Sequence, residues 1–147
     1  MLISRIGDEN AVKLAADANP LLAAVLGGRA ALILRHPNVE AVFTTEETYA
    51  EVEEYSPVLG LEKRLDLDLV LLAVASLPVQ IVERRAYEHR IADAAKLISR
   101  RDPDDVPLLA LALSLDVPVW SNVKHFADAG VEWYTTENLL RRLGIIA

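Results

Sequence analysis

Short apolar runs and longer amphipathic segments alternate along the chain. The short runs have the length of buried strands and cover residues 12–16, 41–43, 79–82, 117–120 and 131–134. Helix-like segments separate them, with no linker, low-complexity tract or internal repeat in between. This alternation predicts one α/β domain over residues 1–147, built on a mostly parallel sheet of about five strands.

The segments between the strands carry several helix signals. Asn19 is predicted to cap a helix with Pro20 at its first position, where the missing N–H costs nothing. Thr44 and Glu47 form a capping-box pattern at the start of a second helix, which should end near residues 55–57. The other predicted helices cover residues 59–65, 67–77, 86–99, 108–115 and 136–143.

The longest apolar run, residues 69–82, is too short to cross a membrane. Ser76 and Pro78 interrupt it, and a spanning helix needs roughly 20 apolar residues. We therefore predict a buried helix followed by a strand, and no membrane segment. Residues 1–10 lack the apolar core of a secretion signal, and the chain has no Cys, so a cytoplasmic location is predicted.

The chain is acidic overall but contains one basic segment. Its net charge of −7 argues against a protein that coats nucleic acid by neutralising phosphate. Within residues 84–101, however, positive side chains outnumber negative ones by four. The positive residues are Arg84, Arg85, Arg90, Lys96, Arg100 and Arg101. They either contact phosphate groups or form a solvated helix face with ion pairs three and four residues apart.

Acidic residues stand at positions that a parallel α/β sheet would bring together. Asp17 follows the first strand, Glu51 lies one turn beyond Glu47 on a helix, and Asp102 and Asp105 open another helix. Binding crevices in such sheets lie outside the carboxyl ends of the strands. The acids therefore predict an oxygen-rich pocket for a hard cation such as Mg²⁺ or Mn²⁺.

Some of these acids also have a structural explanation. Asp102 suits a helix cap, Asp105 would interact favourably with the helix dipole, and Glu47 fits the capping box. Asp17 and Glu51 are harder to explain in this way, because each lies outside a predicted cap. The prediction of a metal site therefore depends on the joint placement of the acids rather than on any one of them.

Four segments of the chain resemble the PIN-domain family, which includes the toxin ribonucleases of bacterial and archaeal toxin–antitoxin pairs. They are residues 14–22, 48–52, 101–112 and 119–126, in the family's order. The resemblance implies a three-layer α/β/α fold and an acidic pocket that binds Mg²⁺ or Mn²⁺ and hydrolyses RNA phosphodiester bonds. It also implies a homodimer and, for a toxin, a small antitoxin protein whose tail enters the acidic cleft.

Carried over residue by residue, the resemblance implies that Asp17, Glu51 and Asp105 are the metal ligands and catalytic acids. Asp102 is implied as an outer-shell acid beside them.

The chain departs from the family's pattern at Val123, where an Asp is usual, and at His125, where another acid is common. Asn122 is a candidate carbonyl ligand, and Ser121 is a candidate for a hydrogen bond to a metal-bound water or a phosphate. His125 is interpreted as a surface residue. Two functions stay open: a metal-dependent endoribonuclease, and a PIN fold that has lost catalysis and binds RNA or protein. Val123 favours the second.

Overall fold

The computed structural model describes residues 11–98 and 102–147. The prediction that residues 1–10 carry no secretion signal therefore concerns residues outside the described ranges. The same holds for Ser99, the last residue of the predicted basic helix, and for Arg100 and Arg101 of the basic segment.

Five parallel strands form one sheet in the described ranges. They are β1 (Val12–Ala16), β2 (Val39–Thr45), β3 (Gln80–Val82), β4 (Val119–Trp120) and β5 (Trp133–Tyr134). Their order across the sheet is β3-β2-β1-β4-β5. The chain thus completes one side of β1 before it crosses to the other side, which places a topological switch point between β1 and β4.

Helices cover both faces of this sheet. Those in the described ranges are α1 (Ala18–Val25), α2 (Ala30–Leu34), α3 (Glu46–Glu62), α4 (Leu67–Ala75), α5 (Ile91–Leu97), α6 (Val106–Leu115) and α7 (Thr136–Arg142). Successive side chains of a strand point to opposite faces. Leu14 of β1 accordingly joins a core with α1 to α4 and α7, whereas Ala15 joins a second core with α5 and α6. The predicted three-layer α/β/α fold is confirmed.

Helix α3 begins one residue later than the predicted capping box. Thr45 is its N-cap, and the Thr45 hydroxyl oxygen accepts a hydrogen bond from the backbone N–H of Thr48 at 3.0 Å. Thr44 does not cap the helix, because its hydroxyl donates instead to the backbone carbonyl oxygen of Ala16 at 2.9 Å. The predicted capping box between Thr44 and Glu47 is therefore wrong.

Helix α3 also continues through Pro57 to Glu62 instead of ending near residues 55–57. A proline inside a helix removes one backbone hydrogen bond. Packing beyond it compensates, because Val52 and Gly60 on either side of Pro57 are both buried. Gly60 lies so close to α4 that a Cβ there would be 2.9 Å from a methyl group of Val70. Tertiary packing thus overrides the local stop signal.

The predicted basic helix over residues 86–99 is interrupted at its start. Two 3₁₀ turns, Arg84–Ala86 and Glu88–Arg90, precede α5. Tyr87 lies between the turns with φ of −124°, outside the helical range, and its side chain is fully buried. The predicted continuous helix is thus interrupted at the residue whose side chain packs into the second core.

The segment predicted as a buried helix is helical, but much of α4 faces outward. Val70 and Val74 pack in the core, whereas Leu69 and Leu72 are 66% and 61% exposed. The prediction of a buried helix is therefore wrong for the outward face of α4. Among the described helices, none combines the length and apolar character needed to cross a membrane.

Candidate metal centre

A crevice opens at the switch point, where β1 and β4 end. Asp17 follows β1 directly, and Ser121 follows β4. The backbone N–H of Asp17 donates to the carbonyl oxygen of Trp120 at 2.9 Å, so the pairing of the two strands extends one residue beyond β1. The sheet itself therefore fixes Asp17 at the position where α/β proteins bind their ligands.

The carboxylate of Asp17 is held by hydrogen bonds on both oxygens. Oδ1 accepts from the backbone N–H of Ala18 at 2.8 Å, and Oδ2 accepts from Ser121 Oγ at 2.8 Å and Asn19 Nδ2 at 3.2 Å. Asp17, and not Asn19, thus caps α1, which corrects the prediction. Asn19 instead accepts from the backbone N–H of Asn122 at 2.8 Å through Oδ1. These contacts hold Asp17 in one orientation.

The crevice contains a cavity of about 420 Å³ with five carboxylates in its wall. The acids are Asp17, Glu51, Asp102, Asp104 and Asp105. The three predicted metal ligands and the predicted outer-shell acid therefore line one cavity. Among the described residues that line it, none is Lys or Arg, and His125 is the one group that can carry positive charge.

Asp102, Asp105 and His125 form a compact group within this wall. His125 Nδ1 lies 2.6 Å from Asp105 Oδ2, and His125 Nε2 lies 3.4 Å from Asp102 Oδ1. One ligand atom from each of the three residues lies within 4.8 Å of the others. Neither aspartate makes the helix-capping hydrogen bond that would give it a structural role. His125 is partly exposed, as interpreted from the sequence, but both its ring nitrogens contact acids.

The charges of the cavity act on one another. Burial raises the pKa of Glu51, and the nearby charges of Asp17, Asp104 and Asp105 raise this pKa further. Burial and then the charge of Asp17 also raise the pKa of Asp105, although the contact with His125 acts in the opposite direction. A cation bound here would relieve this repulsion. Because carboxylate oxygens are the donors that Mg²⁺ and Mn²⁺ prefer, the residues present fit such an ion.

A match to a protein family agrees with this geometry. A family model described as PIN domain matches residues 16–144, which is most of the chain. This chain belongs to the PIN-domain family. PIN domains are in general nucleases and typically depend on a divalent metal. The chain matches no curated protein.

Besides Asp102, the two secondary candidates of the PIN site have different surroundings. Ser121 is fully buried and supports Asp17 directly. Asn122 is not among the described residues that line the cavity, and its Oδ1 accepts from the backbone N–H of Thr136 at 2.8 Å. The carbonyl oxygen proposed as a ligand thus serves the start of α7. Val123 does line the cavity, so the position where PIN domains usually carry an Asp faces the same space.

The arginines of the basic segment that the structure describes form ion pairs and are not among the residues that line the PIN cavity. Arg84 Nη1 lies 3.7 Å from Glu47 Oε1, and Arg84 Nε lies 3.9 Å from Glu88 Oε1. Arg90 Nε lies 3.0 Å from Asp93 Oδ2. Glu47 is therefore engaged outside the cavity, and the ion-pair interpretation of the segment describes Arg84 and Arg90.

Two ionisable residues of the cavity wall, Asp104 and His125, were not selected from the sequence as candidate site residues. Asp104 lies in the 3₁₀ turn Pro103–Asp105, whose tighter winding brings it to the cavity beside Asp102 and Asp105. His125 was available from one signal, since it occupies a position where PIN domains often carry an acid. His125 was nevertheless interpreted as a surface residue, because a lone histidine in a loop is most often exposed.

Proposed function

We propose that this PIN domain is a metal-dependent endoribonuclease that hydrolyses RNA phosphodiester bonds. The observation that supports it is the cavity with five carboxylates and with neither Lys nor Arg among its described lining residues. Burial, and then the charges of neighbouring acids, raise the pKa of Glu51 and of Asp105, which is unfavourable for the folded protein at neutral pH. A bound cation is the usual reason for such a cluster.

In this proposal Asp17, Glu51 and Asp105 hold Mg²⁺ or Mn²⁺, and Asp102 lies beside them. When bound, the cation polarises the scissile phosphate and lowers the pKa of a bound water. Asp17 presents its carboxylate in a single orientation because Ser121 and the Ala18 N–H donate to it. The acids repel a phosphate group as long as they are not neutralised, so productive RNA binding requires the metal.

A calorimetric titration with Mg²⁺ and Mn²⁺, paired with an RNA cleavage assay, tests the proposal. The wild-type chain should bind the cation and cleave RNA, whereas Asp17→Asn should lose both properties. Asn keeps the shape of Asp and is an equally good N-cap, so the fold should be retained. Glu47→Gln is the matched control, because Glu47 is an acid of α3 outside the cavity. Absence of divalent binding by the wild-type chain would contradict the proposal.

The second candidate function is a PIN fold that has lost catalysis and binds RNA or protein. Val123 favours it, because a valine side chain in the cavity wall cannot bind a cation. Fluorescence anisotropy with labelled RNA separates the two functions. RNA that is bound but stays intact in both Mg²⁺ and Mn²⁺ would establish the binding module.

We further propose a homodimer that forms through the leucine-rich surface of the α3–α4 hairpin. This surface consists of Leu61, Leu65, Leu67, Leu69 and Leu72, which are between 40% and 79% exposed. Contiguous apolar area of several hundred Å² is unusual on a monomer, and each partner of a standard interface buries about 800 Å². A second copy of the chain would offer the same apolar surface in return.

Sedimentation velocity tests this dimer. Leu69→Lys should convert the protein to a monomer, because it places a charge within the leucine-rich surface. Leu32→Lys is the control, since Leu32 is a leucine of α2 that is 49% exposed outside this surface. A wild-type monomer at micromolar concentration would contradict the dimer.

A small antitoxin protein is the further partner that we propose if this chain is a toxin. The acidic cavity suits a basic segment in the tail of such a protein. A short reading frame next to this one is the first observation to make, and its product should compete with Mn²⁺ for the cavity. The cytoplasmic location stays a prediction from the sequence.

A further inference from the structure

His125 is held in the cavity wall by the turn that carries it. The 3₁₀ turn Lys124–Phe126 is anchored by Phe126, which is fully buried in the core beside α6. The imidazole ring then contacts Asp105 through Nδ1 at 2.6 Å and Asp102 through Nε2 at 3.4 Å. The ring is thus fixed between two acids.

The shorter contact determines which ring nitrogen can bind an ion. At 2.6 Å, Nδ1 and Asp105 Oδ2 form a short, charge-assisted hydrogen bond in which Nδ1–H donates. A neutral ring with its proton on Nδ1 carries its lone pair on Nε2. Metal-binding histidines commonly donate their other ring N–H to a carboxylate in this manner, which fixes the orientation of the ring. Asp105 therefore orients His125 with one of its oxygens.

The longer contact has the geometry of two ligands on one ion. In a neutral ring, Nε2 and Asp102 Oδ1 are both acceptors, and they lie 3.4 Å apart with no hydrogen to share. Two ligands that are each about 2.1 Å from one ion lie roughly 3.0 to 3.4 Å apart, depending on the coordination angle. A divalent cation would turn this repulsive pair into a favourable one.

We infer that Nε2 of His125 is a ligand of the divalent cation, with Asp102 as a further ligand of the same ion, and that Nε2 takes the place of the carboxylate that is lacking at Val123. This inference rests on the proposed function, in which a divalent cation occupies the acidic cavity. Its consequence is a change in metal preference. Mg²⁺ favours sites made only of oxygen, whereas an imidazole nitrogen favours Zn²⁺ and, to a smaller degree, Mn²⁺.

Calorimetric dissociation constants for Mg²⁺, Mn²⁺ and Zn²⁺ test this inference on the full chain. His125→Asn keeps an amide N–H near the position of Nδ1 but removes Nε2. It should weaken Zn²⁺ and Mn²⁺ binding by about 10- to 100-fold, a range seen even when only a partner of a ligand is lost. Mg²⁺ binding should change by less than about threefold, because Mg²⁺ gains least from nitrogen. His89→Asn, in the turn Glu88–Arg90, is the matched control and should change none of the three constants.

A spectroscopic readout makes the inference independent of how the variant folds. In the wild-type chain labelled with ¹⁵N at histidine, one equivalent of Zn²⁺ should shift the Nε2 resonance of His125 and leave His36 and His89 unchanged. A cation that binds without shifting His125, together with unchanged constants in His125→Asn, would overturn the inference and leave the proposed function intact. A wild-type chain that binds none of the three ions would overturn both.

Discussion

The two walls of the acidic cavity are built in different ways. The strand wall consists of Asp17, which follows β1 directly, and Asn19, in the first turn of α1. Ser121, which follows β4, supports this wall by donating to Asp17. The turn wall consists of Asp102, Asp105 and His125, which lie at two 3₁₀ turns. In the strand wall, neutral donors satisfy both oxygens of Asp17. In the turn wall, the described partner of both aspartates is the single imidazole ring.

This difference separates structural from functional acids. Asp17 stabilises the start of α1 and also faces the cavity, so it serves the fold and the site at once. Asp102 and Asp105 cap no helix, although their side chains are only 17% and 15% exposed. Partial burial of two neighbouring acids that share one imidazole partner is unfavourable. We therefore expect the strand wall to contribute to stability and the turn wall to contribute to metal binding.

The largest expected effect is on RNA cleavage, and it should be the same for both walls. Asp17→Asn and Asp105→Asn should each lower the single-turnover cleavage rate in Mn²⁺ by about 10²- to 10³-fold, the usual cost of removing an electrostatic contributor. Asp93→Asn is a control, because Asp93 pairs with Arg90 and is not part of the described cavity wall. A loss confined to one wall would show that the two walls do not act on the same ion.

The next effect concerns Val123, which lies between the walls. Adding Val123→Asp to His125→Asn should tighten Mg²⁺ binding by about tenfold relative to His125→Asn alone, because a carboxylate supplies the oxygen ligand that Mg²⁺ prefers. Calorimetry measures the two constants. A further change of Asp17→Asn should abolish binding again if all these groups serve one ion. Equal Mg²⁺ affinities with and without Val123→Asp would show that position 123 does not reach the ion.

The free energy of unfolding of the metal-free protein should depend on the strand wall and not on the turn wall. Asp17→Ala should lower the free energy of unfolding by about 1 to 2 kcal/mol, because α1 loses its cap and the buried hydroxyl of Ser121 loses its acceptor. Asp102→Ala should change it by no more than about 0.5 kcal/mol. Urea denaturation in the presence of a chelator measures both. Equal losses would mean that the turn wall is structural too.

The sheet could be predicted from the sequence because buried parallel strands are short apolar runs. The exact ends of the helices and strands could not be predicted from the sequence. Thr44 looks like a helix cap, but its hydroxyl donates to the carbonyl oxygen of Ala16. The predicted basic helix is interrupted at Tyr87, whose side chain is buried in the second core. Both outcomes depend on contacts with distant segments, which no local pattern records. The exposed leucines of α4 were missed for a related reason, since periodicity cannot separate a core face from an apolar outer surface.

The candidate site could be predicted in part. Asp17 could be predicted because it stands at the carboxyl end of an apolar strand. Glu51 could be predicted because it lies in α3 one turn beyond Glu47. The pairing of His125 with Asp105 could not be predicted, because the two residues are 20 positions apart and meet only when two turns pack together. Asn122 was selected by its proximity to the missing acid, but its side chain is engaged at α7.

The smallest expected effect is a change in pKa across the cavity, from the strand wall to the turn wall. The charge of Asp17 contributes to the raised pKa of both Glu51 and Asp105. Asp17→Asn should therefore lower both pKa values, which ¹³C NMR of the side-chain carboxyls can follow in the metal-free protein. Because each folded-state pKa lies above its unfolded value, these two groups add stability as the pH falls through the folded pKa. They lose that contribution again as the pH rises. In Asp17→Asn the two folded-state pKa values should lie closer to the unfolded values. The pH range over which these groups change the stability should therefore be narrower. Unchanged pKa values at Glu51 and Asp105 would show that the charges of the two walls are screened from each other, and would remove the electrostatic reason for a shared cation.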